Sequence, residues 1–231
     1  MLINFRADPE VVRRIVPSPF SPKLRDGWSI VGICLIRLEG IRPVGFPRFG
    51  GLSSENAAHR IAVTWMDESG EREGVFIPRR DTNGRLNHLA GGRLFPGKHH
   101  LSDFSVMDDQ ETISISIRSG DALMTVDFAG VLTDRFPSNS IFPSLEDSSD
   151  FFASGSIGYS VTNDCCRFDG IRLNTQKWEV SPVRVSKIES SFFGDTDRFP
   201  LGSIEFDHAL IMRDIPHRWI SEPEILTKEI G

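Results

Sequence analysis

The sequence has little cysteine and no long hydrophobic run. Its 3 cysteines in 231 residues, Cys34, Cys165 and Cys166, are too few for a disulfide framework and lack the repeated close spacing of zinc-binding thiols. No run of about 18 apolar residues could span a membrane, and the N-terminal segment carries acidic residues and lacks the apolar core of a signal peptide. These absences predict a cytoplasmic protein with no membrane partner and no disulfides.

Positive charge is also scarce. Lys and Arg number 26 against 32 Asp and Glu, and the basic residues are scattered along the chain. A nucleic-acid-binding surface needs them clustered on one face, so we expect no nucleic-acid partner. The nucleotide and cofactor motifs are absent, which predicts no cofactor. We also expect no metal site, because the adjacent His99 and His100 would point to opposite faces of a strand.

Short strand patterns dominate what is present. Residues 112–118 alternate polar and apolar side chains, and residues 28–38 form a bounded apolar run typical of a buried strand. Residues 8–16 and 144–153 carry capping residues before apolar positions and predict short helices. Strand and helix do not alternate regularly, which favours an α+β, mainly β fold with an antiparallel sheet or barrel and a few short flanking helices. Without a linker-like segment, we expect residues 1–231 to form a single domain.

Two further segments have local signals. Residues 83–94 mix helix formers with a terminal glycine pair and predict a third short helix. Residues 42–51 are dense in Pro, Gly and Phe and predict a long loop, because proline and glycine interrupt regular strand pairing.

Three short motifs resemble those of acetoacetate decarboxylases and occur in the same order. The segment Ile204-Glu205-Phe206-Asp207-His208-Ala209 resembles their C-terminal Phe-Asp-His-Ala, and Phe95-Pro96-Gly97-Lys98 resembles their active-site Tyr-Pro-Lys-Lys. Residues 11–19 are similar to their helix followed by Val-Pro-x-Pro. Other stretches, including residues 55–63 (ENAAHRIAV), look like the YqjF-like branch. The chain is therefore identified as a member of the acetoacetate decarboxylase-like superfamily, near that branch.

The resemblance implies a cone-shaped antiparallel β-barrel with a small apolar pocket, commonly in a homo-oligomer. In the decarboxylases the first lysine of Tyr-Pro-Lys-Lys forms a Schiff base with a β-keto acid. Aligned without a gap, this sequence has Gly97 at that position and keeps only Lys98. Lys98 is therefore the candidate nucleophile if it is desolvated in the pocket, and otherwise an ordinary solvent-facing loop lysine.

Four other residues are candidates for the same site. The resemblance places Glu55 near the acidic residue beside the catalytic lysine, where burial would suit it to proton transfer; otherwise it is an exposed glutamate. Arg60 could clamp a ligand carboxylate or pair with an acid elsewhere. Phe95 and Trp178 are predicted ligand contacts, although core packing is the alternative for such aromatic residues.

The sequence supports three functions. The first is an enzyme that acts on a small oxo acid by Schiff-base lyase or aldolase-type chemistry, with Lys98 as amine, Glu55 as acid or base and Arg60 as carboxylate anchor. The alternative is a non-catalytic small-molecule-binding protein that has lost the nucleophilic lysine, with Gly97 at its position. A third is an oligomeric structural protein without a ligand. The first two predict a small carboxylate or oxo acid as partner.

Overall fold

The computed structural model describes residues 1–42, 45, 51–85, 97–162, 167–175 and 177–226. Within these ranges no helix is both long enough and apolar enough to cross a membrane. The elements, in chain order, are β1 (Leu2–Ala7), α1 (Pro9–Ile15), β2 (Ser21–Pro22), β3 (Leu24–Arg25), β4 (Trp28–Ile41), β5 (Leu52–Asp67), β6 (Gly70–Thr82), β7 (His99–Asp108), β8 (Thr112–Ser119), β9 (Thr125–Leu132), α2 (Leu145–Ser154), β10 (Ile157–Val161), β11 (Arg167–Thr175), β12 (Ser181–Ser190), β13 (Ile204–Ile211) and β14 (His217–Leu226).

The sheet closes into a barrel. The strand order around it is β6-β7-β8-β9-β12-β13-β1-β4-β5, and pairing between β5 and β6 closes the ring. Neighbouring strands in the ring are antiparallel except β6 and β7, which are parallel. Strands β10, β11 and β14 extend the sheet from β6. The predicted fold class, a mainly β protein with an antiparallel barrel and short flanking helices, is confirmed.

Local capping signals begin both helices. Asp8 accepts a hydrogen bond from the backbone N–H of Glu10 at 2.8 Å, and Ser144 accepts one from the N–H of Asp147 at 3.1 Å. These bonds satisfy N–H groups that have no partner inside the helix. The predicted helix over residues 83–94 and the predicted loop over residues 42–51 lie mostly outside the described residues.

Alternation along the strands gives the barrel two apolar faces. Ile33 of β4 and Phe128 of β9 come from separate parts of the ring and pack in one cluster that fills the interior. On the outer face Ile30 packs in a second cluster with Phe142 and with Phe152 of α2. The outer cluster therefore holds α2 against the barrel.

The barrel interior contains a fully buried histidine. The ring of His59 lies 4.5 Å from that of Phe192, measured between centroids. Neither of its nitrogens has a hydrogen-bond partner among the described residues. Burial, together with the smaller effect of the charges of Arg79 and Arg198, lowers the pKa of His59 to about 3. His59 is therefore neutral in the folded protein at neutral pH.

We expect acid to destabilise the protein through His59. Its pKa is about 3 when folded and 6.5 without the fold. Between these values only the unfolded chain binds a proton, so stability falls as the pH falls below 6.5. From pH 7 to pH 5 the loss is about 2 kcal/mol of unfolding free energy.

Urea denaturation of the wild type and of His59→Leu at both pH values measures this effect. The variant should lose less stability on acidification than the wild type, by about that amount. An identical pH dependence in the two proteins would show that the buried ring takes up its proton at the usual pH.

Candidate functional site

A cavity lies between the outer face of the barrel and the layer formed by α2, β10 and β11. Its volume is about 110 Å³, whereas one water molecule needs only about 10–15 Å³ on the same measure. It is therefore large enough for a small organic molecule. Small side chains at Ala58 and Ala62 of β5 leave this space open. Large apolar side chains form most of the wall: Ile36, Ile77, Phe151, Phe152, Leu173 and Trp178.

The charged residues that line the cavity are all cations: Lys23, Arg60 and Arg80. The charge of Lys23 is balanced by an ion pair, because its Nζ lies 2.5 Å from a carboxylate oxygen of Glu73. The same Nζ lies 4.2 Å from the ring centroid of Phe151. The two arginines form no ion pair with any carboxylate of the described residues. A buried cation without a counter-charge is costly, so this arrangement calls for an anion.

The guanidinium of Arg60 is held on one side only. It is 4% exposed, lies 4.6 Å from the ring centroid of Phe152, and donates from Nη2 to the side-chain oxygen of Asn4. Its Nε has no partner among the described residues. Burial lowers the pKa of Arg60 to about 10. Arg60 is therefore still charged at neutral pH.

A buried hydrogen-bonded chain fixes Asn4. His208 Nδ1 donates to Asp207 at 2.5 Å, and its Nε2 lies 3.0 Å from Asn4 Nδ2. Because Asp207 accepts at Nδ1, Nε2 is left as an acceptor for the Asn4 amide N–H, which turns the Asn4 oxygen towards Arg60. Burial, and to a smaller extent the charge of Arg60, lowers the pKa of His208 although the Asp207 carboxylate opposes this shift, so the ring is neutral at neutral pH.

A β-bulge explains how adjacent residues Asp207 and His208 reach the same network. Asn4 pairs with His208 and Phe5 with Phe206, so Asp207 is an extra residue on β13. A bulge of this kind re-aims a side chain that alternation would place on the opposite face. The sequence analysis paired these two residues with the decarboxylase motif but gave no sign of the bulge.

Ser148 of α2 completes an arrangement that resembles a Ser-His-Asp triad. Its Oγ lies 2.8 Å from Nε2 of His208. Ser148 and His208 are 0% exposed and Asp207 is 2% exposed, so no substrate carbonyl can reach the hydroxyl. The three residues instead anchor α2 to the barrel through buried, satisfied polar groups.

Arg80 lies where the sheet forks. One edge of β6 pairs with β10 near Val75 and then with β7 from Arg80 onwards. The register with β5 skips a residue next to Pro78, which lacks the N–H that would continue the ladder. Arg80 donates from Nε to Ser160 Oγ at 3.0 Å, and its Nη2 has no partner among the described residues. Burial lowers its pKa to about 10.

Two predicted site residues, Arg60 and Trp178, line the cavity together. The indole N–H of Trp178 has no partner within the described ranges, so it is a further free donor in this wall. The sequence analysis missed Arg80 and Cys34, which also line it. The sequence does not show to which face of the sheet a basic residue inside a strand points. It also does not show where the sheet forks, because the fork depends on pairing between strands that are distant in the sequence.

The other predicted site residues lie elsewhere. Lys98 is exposed and is not among the residues that line the cavity. Glu55 is half-buried, does not line the cavity, and accepts a hydrogen bond from Arg37 at 2.5 Å. Phe95 lies outside the described residues. The structure therefore brings the predicted carboxylate anchor to the cavity without the predicted amine or acid.

Comparison with known proteins agrees with the fold. The profile of the DUF2071 family, described as an uncharacterized conserved protein, matches residues 1–207. A search of the curated proteins found no match. A structure from structural studies of acetoacetate decarboxylase has 15% sequence identity and a TM-score of 0.52, with 96% of this chain and 86% of that chain covered.

Two structures of the enduracididine biosynthesis enzyme MppR are also similar. With HEPES bound, MppR has a TM-score of 0.56 and 10% identity, covering 100% of this chain and 85% of that chain. With pyruvate, the values are 0.53 and 11%, covering 100% and 88%. At such identities the likeness shows the fold. The predicted resemblance to the acetoacetate decarboxylase-like fold is confirmed, and the family match is consistent with the YqjF-like branch.

Gly97→Ala should destabilise the protein more than Gly202→Ala. Both glycines have a left-handed backbone, with φ of 81° and 82°, so each substitution carries about 1–2 kcal/mol of strain. Only at Gly97 does the new Cβ meet another atom, 2.5 Å from Ser160 Cβ, and such overpacking costs about 1–3 kcal/mol.

Urea denaturation of the two variants should therefore show a difference of at least about 1 kcal/mol in unfolding free energy. Equal losses would show that residues 97 and 160 can move apart freely, and that this backbone would also accept a lysine at position 97.

Proposed function

Since the chain belongs to the DUF2071 family and has the acetoacetate decarboxylase-like fold, we propose that it binds a small organic carboxylate of the oxo-acid class in the outer cavity. Arg60 and Arg80 hold the carboxylate by ion pairs and charged hydrogen bonds. The indole N–H of Trp178 donates to a second oxygen of the ligand, and the apolar wall contacts its carbon atoms.

One observation carries the proposal: the buried Arg60 and the half-buried Arg80, whose Nη2 is buried, line one cavity, and neither pairs with a carboxylate of the described residues. Taking an ion out of water costs several kcal/mol even after relaxation, and only an opposite charge with good geometry recovers that cost. A carboxylate accepts charged hydrogen bonds on both of its oxygens, which suits Arg60 Nε and Arg80 Nη2, since neither nitrogen has a partner among the described residues.

The size and lining of the cavity narrow the ligand class. A volume of about 110 Å³ admits an acid of a few carbon atoms, and the mostly apolar wall excludes highly polar molecules such as sugars. The similar enzyme MppR has been solved with pyruvate, a small oxo acid, which supports the same class here.

The positions of the lysines favour ion pairing over Schiff-base chemistry. Lys23 is the amine that lines the cavity, and it is paired with Glu73. A Schiff base needs a neutral amine, which a nearby carboxylate disfavours. Lys98 as a nucleophile and Glu55 as its acid or base stay predictions from the sequence.

Arg80→Met should weaken pyruvate binding at least about tenfold, because the charged anchor is lost while the side-chain volume is kept. It should leave the unfolding free energy unchanged or raise it, since it removes an uncompensated buried charge. Isothermal titration calorimetry and urea denaturation measure the two effects. Arg184→Met, at an exposed position, is the matched control and should change neither.

Unchanged affinity in Arg80→Met would contradict the proposal. Lower stability together with lower affinity would show instead that Arg80 is a structural residue whose loss disturbs the cavity indirectly.

Sodium borohydride added with pyruvate should leave every lysine unmodified, because borohydride attaches the ligand to a lysine only by reducing a carbon–nitrogen double bond already formed at its amine. Mass spectrometry of the digested protein checks this result. A reduced pyruvyl adduct on Lys98 or Lys23 would restore the Schiff-base function and replace the proposal made here.

A further inference from the structure

Cys34 lies in the cavity wall beside both arginines. It is a free thiol, half-buried, on the outer face of β4. Across the sheet it pairs with Ala58 of β5, which in turn pairs with Arg80 of β6. Neighbouring strands are about 4.8 Å apart, so the Cα atoms of Cys34 and Arg80 are about 10 Å apart. Only the methyl group of Ala58 lies between their side chains, which leaves room for a ligand.

Arg60 approaches the same thiol from the next row. It pairs with Gly32, two residues from Cys34 on β4, and is therefore a diagonal neighbour of Cys34 on the same face. Cys34, Arg60 and Arg80 all line the same cavity, so the sulfur lies beside the two cations.

Independent features point to a ligand beside this thiol. Arg60 lines the cavity and is only 4% exposed, and its Nε has no partner among the described residues. Arg80 lines the same cavity, and its Nη2 has no partner within the described part of the chain. An acid held by these two groups has its carbon atoms over Ala58, next to the sulfur.

From this geometry we propose that Cys34 is a nucleophile that adds reversibly to the carbonyl carbon of an oxo acid bound in the cavity. A carbon–sulfur bond forms, the π electron pair of the carbonyl moves to its oxygen, and that oxygen takes the proton released by the thiol. The product is a hemithioketal, so the step needs neither oxidant nor reductant. The inference rests on the proposed function, because the arginines hold the acid in place.

The first experiment compares two alkylating agents that differ in charge. Iodoacetate and iodoacetamide both alkylate the sulfur with loss of iodide, but only iodoacetate carries a carboxylate. The ratio of their rates at Cys34, measured by mass spectrometry, is compared with the ratio for 2-mercaptoethanol in the same buffer. We expect the ratio at Cys34 to be at least tenfold higher, to fall in Arg80→Met, and both rates to decrease with pyruvate. A ratio equal to that of 2-mercaptoethanol overturns the inference.

The second experiment observes the addition itself. Carbon-13 NMR of pyruvate labelled at its carbonyl carbon should show a new protein-dependent signal from a tetrahedral carbon, which is absent with Cys34→Ala. Calorimetry should show that Cys34→Ala still binds pyruvate, within about threefold of the wild type. Absence of the tetrahedral signal at saturating pyruvate overturns the inference.

The failures of the two proposals are distinguishable. Pyruvate binding that depends on Arg80, without the tetrahedral signal, overturns the role of Cys34 and leaves the carboxylate site intact. No pyruvate binding to the wild type, together with no rate preference for iodoacetate, overturns the carboxylate site and the role of Cys34 together.

Discussion

Two guanidinium groups line one apolar cavity, and no carboxylate of the described residues neutralises them. Within the described residues each of them is held by hydrogen bonds to uncharged groups: Arg60 by the amide of Asn4, and Arg80 by the hydroxyl of Ser160. The negative charge of Asp207 reaches Arg60 only through two neutral links, His208 and Asn4. A carboxylate at position 4 would make a stronger contact with Arg60, but it would also cancel the charge that a ligand needs. The neutral contacts therefore position the cations and leave their charge available.

The fold supplies this arrangement at two irregular points of the sheet. The bulge at Asp207 brings the side chains of Asp207 and His208 into one network. There Asp207 fixes the tautomer of His208, and His208 fixes the orientation of the Asn4 amide. The fork at β6, beside Pro78, separates β10 from β7 and gives Arg80 a place in the wall of the cavity. Regular strands would provide neither the Asp207–His208 contact nor the position of Arg80, because alternation sends neighbouring side chains to opposite faces.

The sequence predicted the elements and the fold class better than the site. Alternation over residues 112–118 and the capping residue Ser144 act locally, so the strand β8 and the helix α2 were predictable. Arg60 and Trp178 were identified as ligand contacts and do line the cavity. Arg80 and Cys34 were not, because their meeting depends on strand register across β4, β5 and β6, which no local pattern encodes. Lys98 was chosen by a motif alignment. A Cβ at Gly97 would point at Ser160, and the side chain of the next residue, Lys98, is exposed.

A crystal structure of the complex with pyruvate tests most directly whether Arg60 and Arg80 bind a carboxylate. Carboxylate oxygens of the ligand should lie about 2.7–2.9 Å from guanidinium nitrogens of both Arg60 and Arg80, with the carbonyl carbon on the side of Cys34. Pyruvate bound outside the cavity, or joined to a lysine nitrogen while both guanidinium groups stay without an anion, would contradict the assignment of this cavity as a carboxylate site.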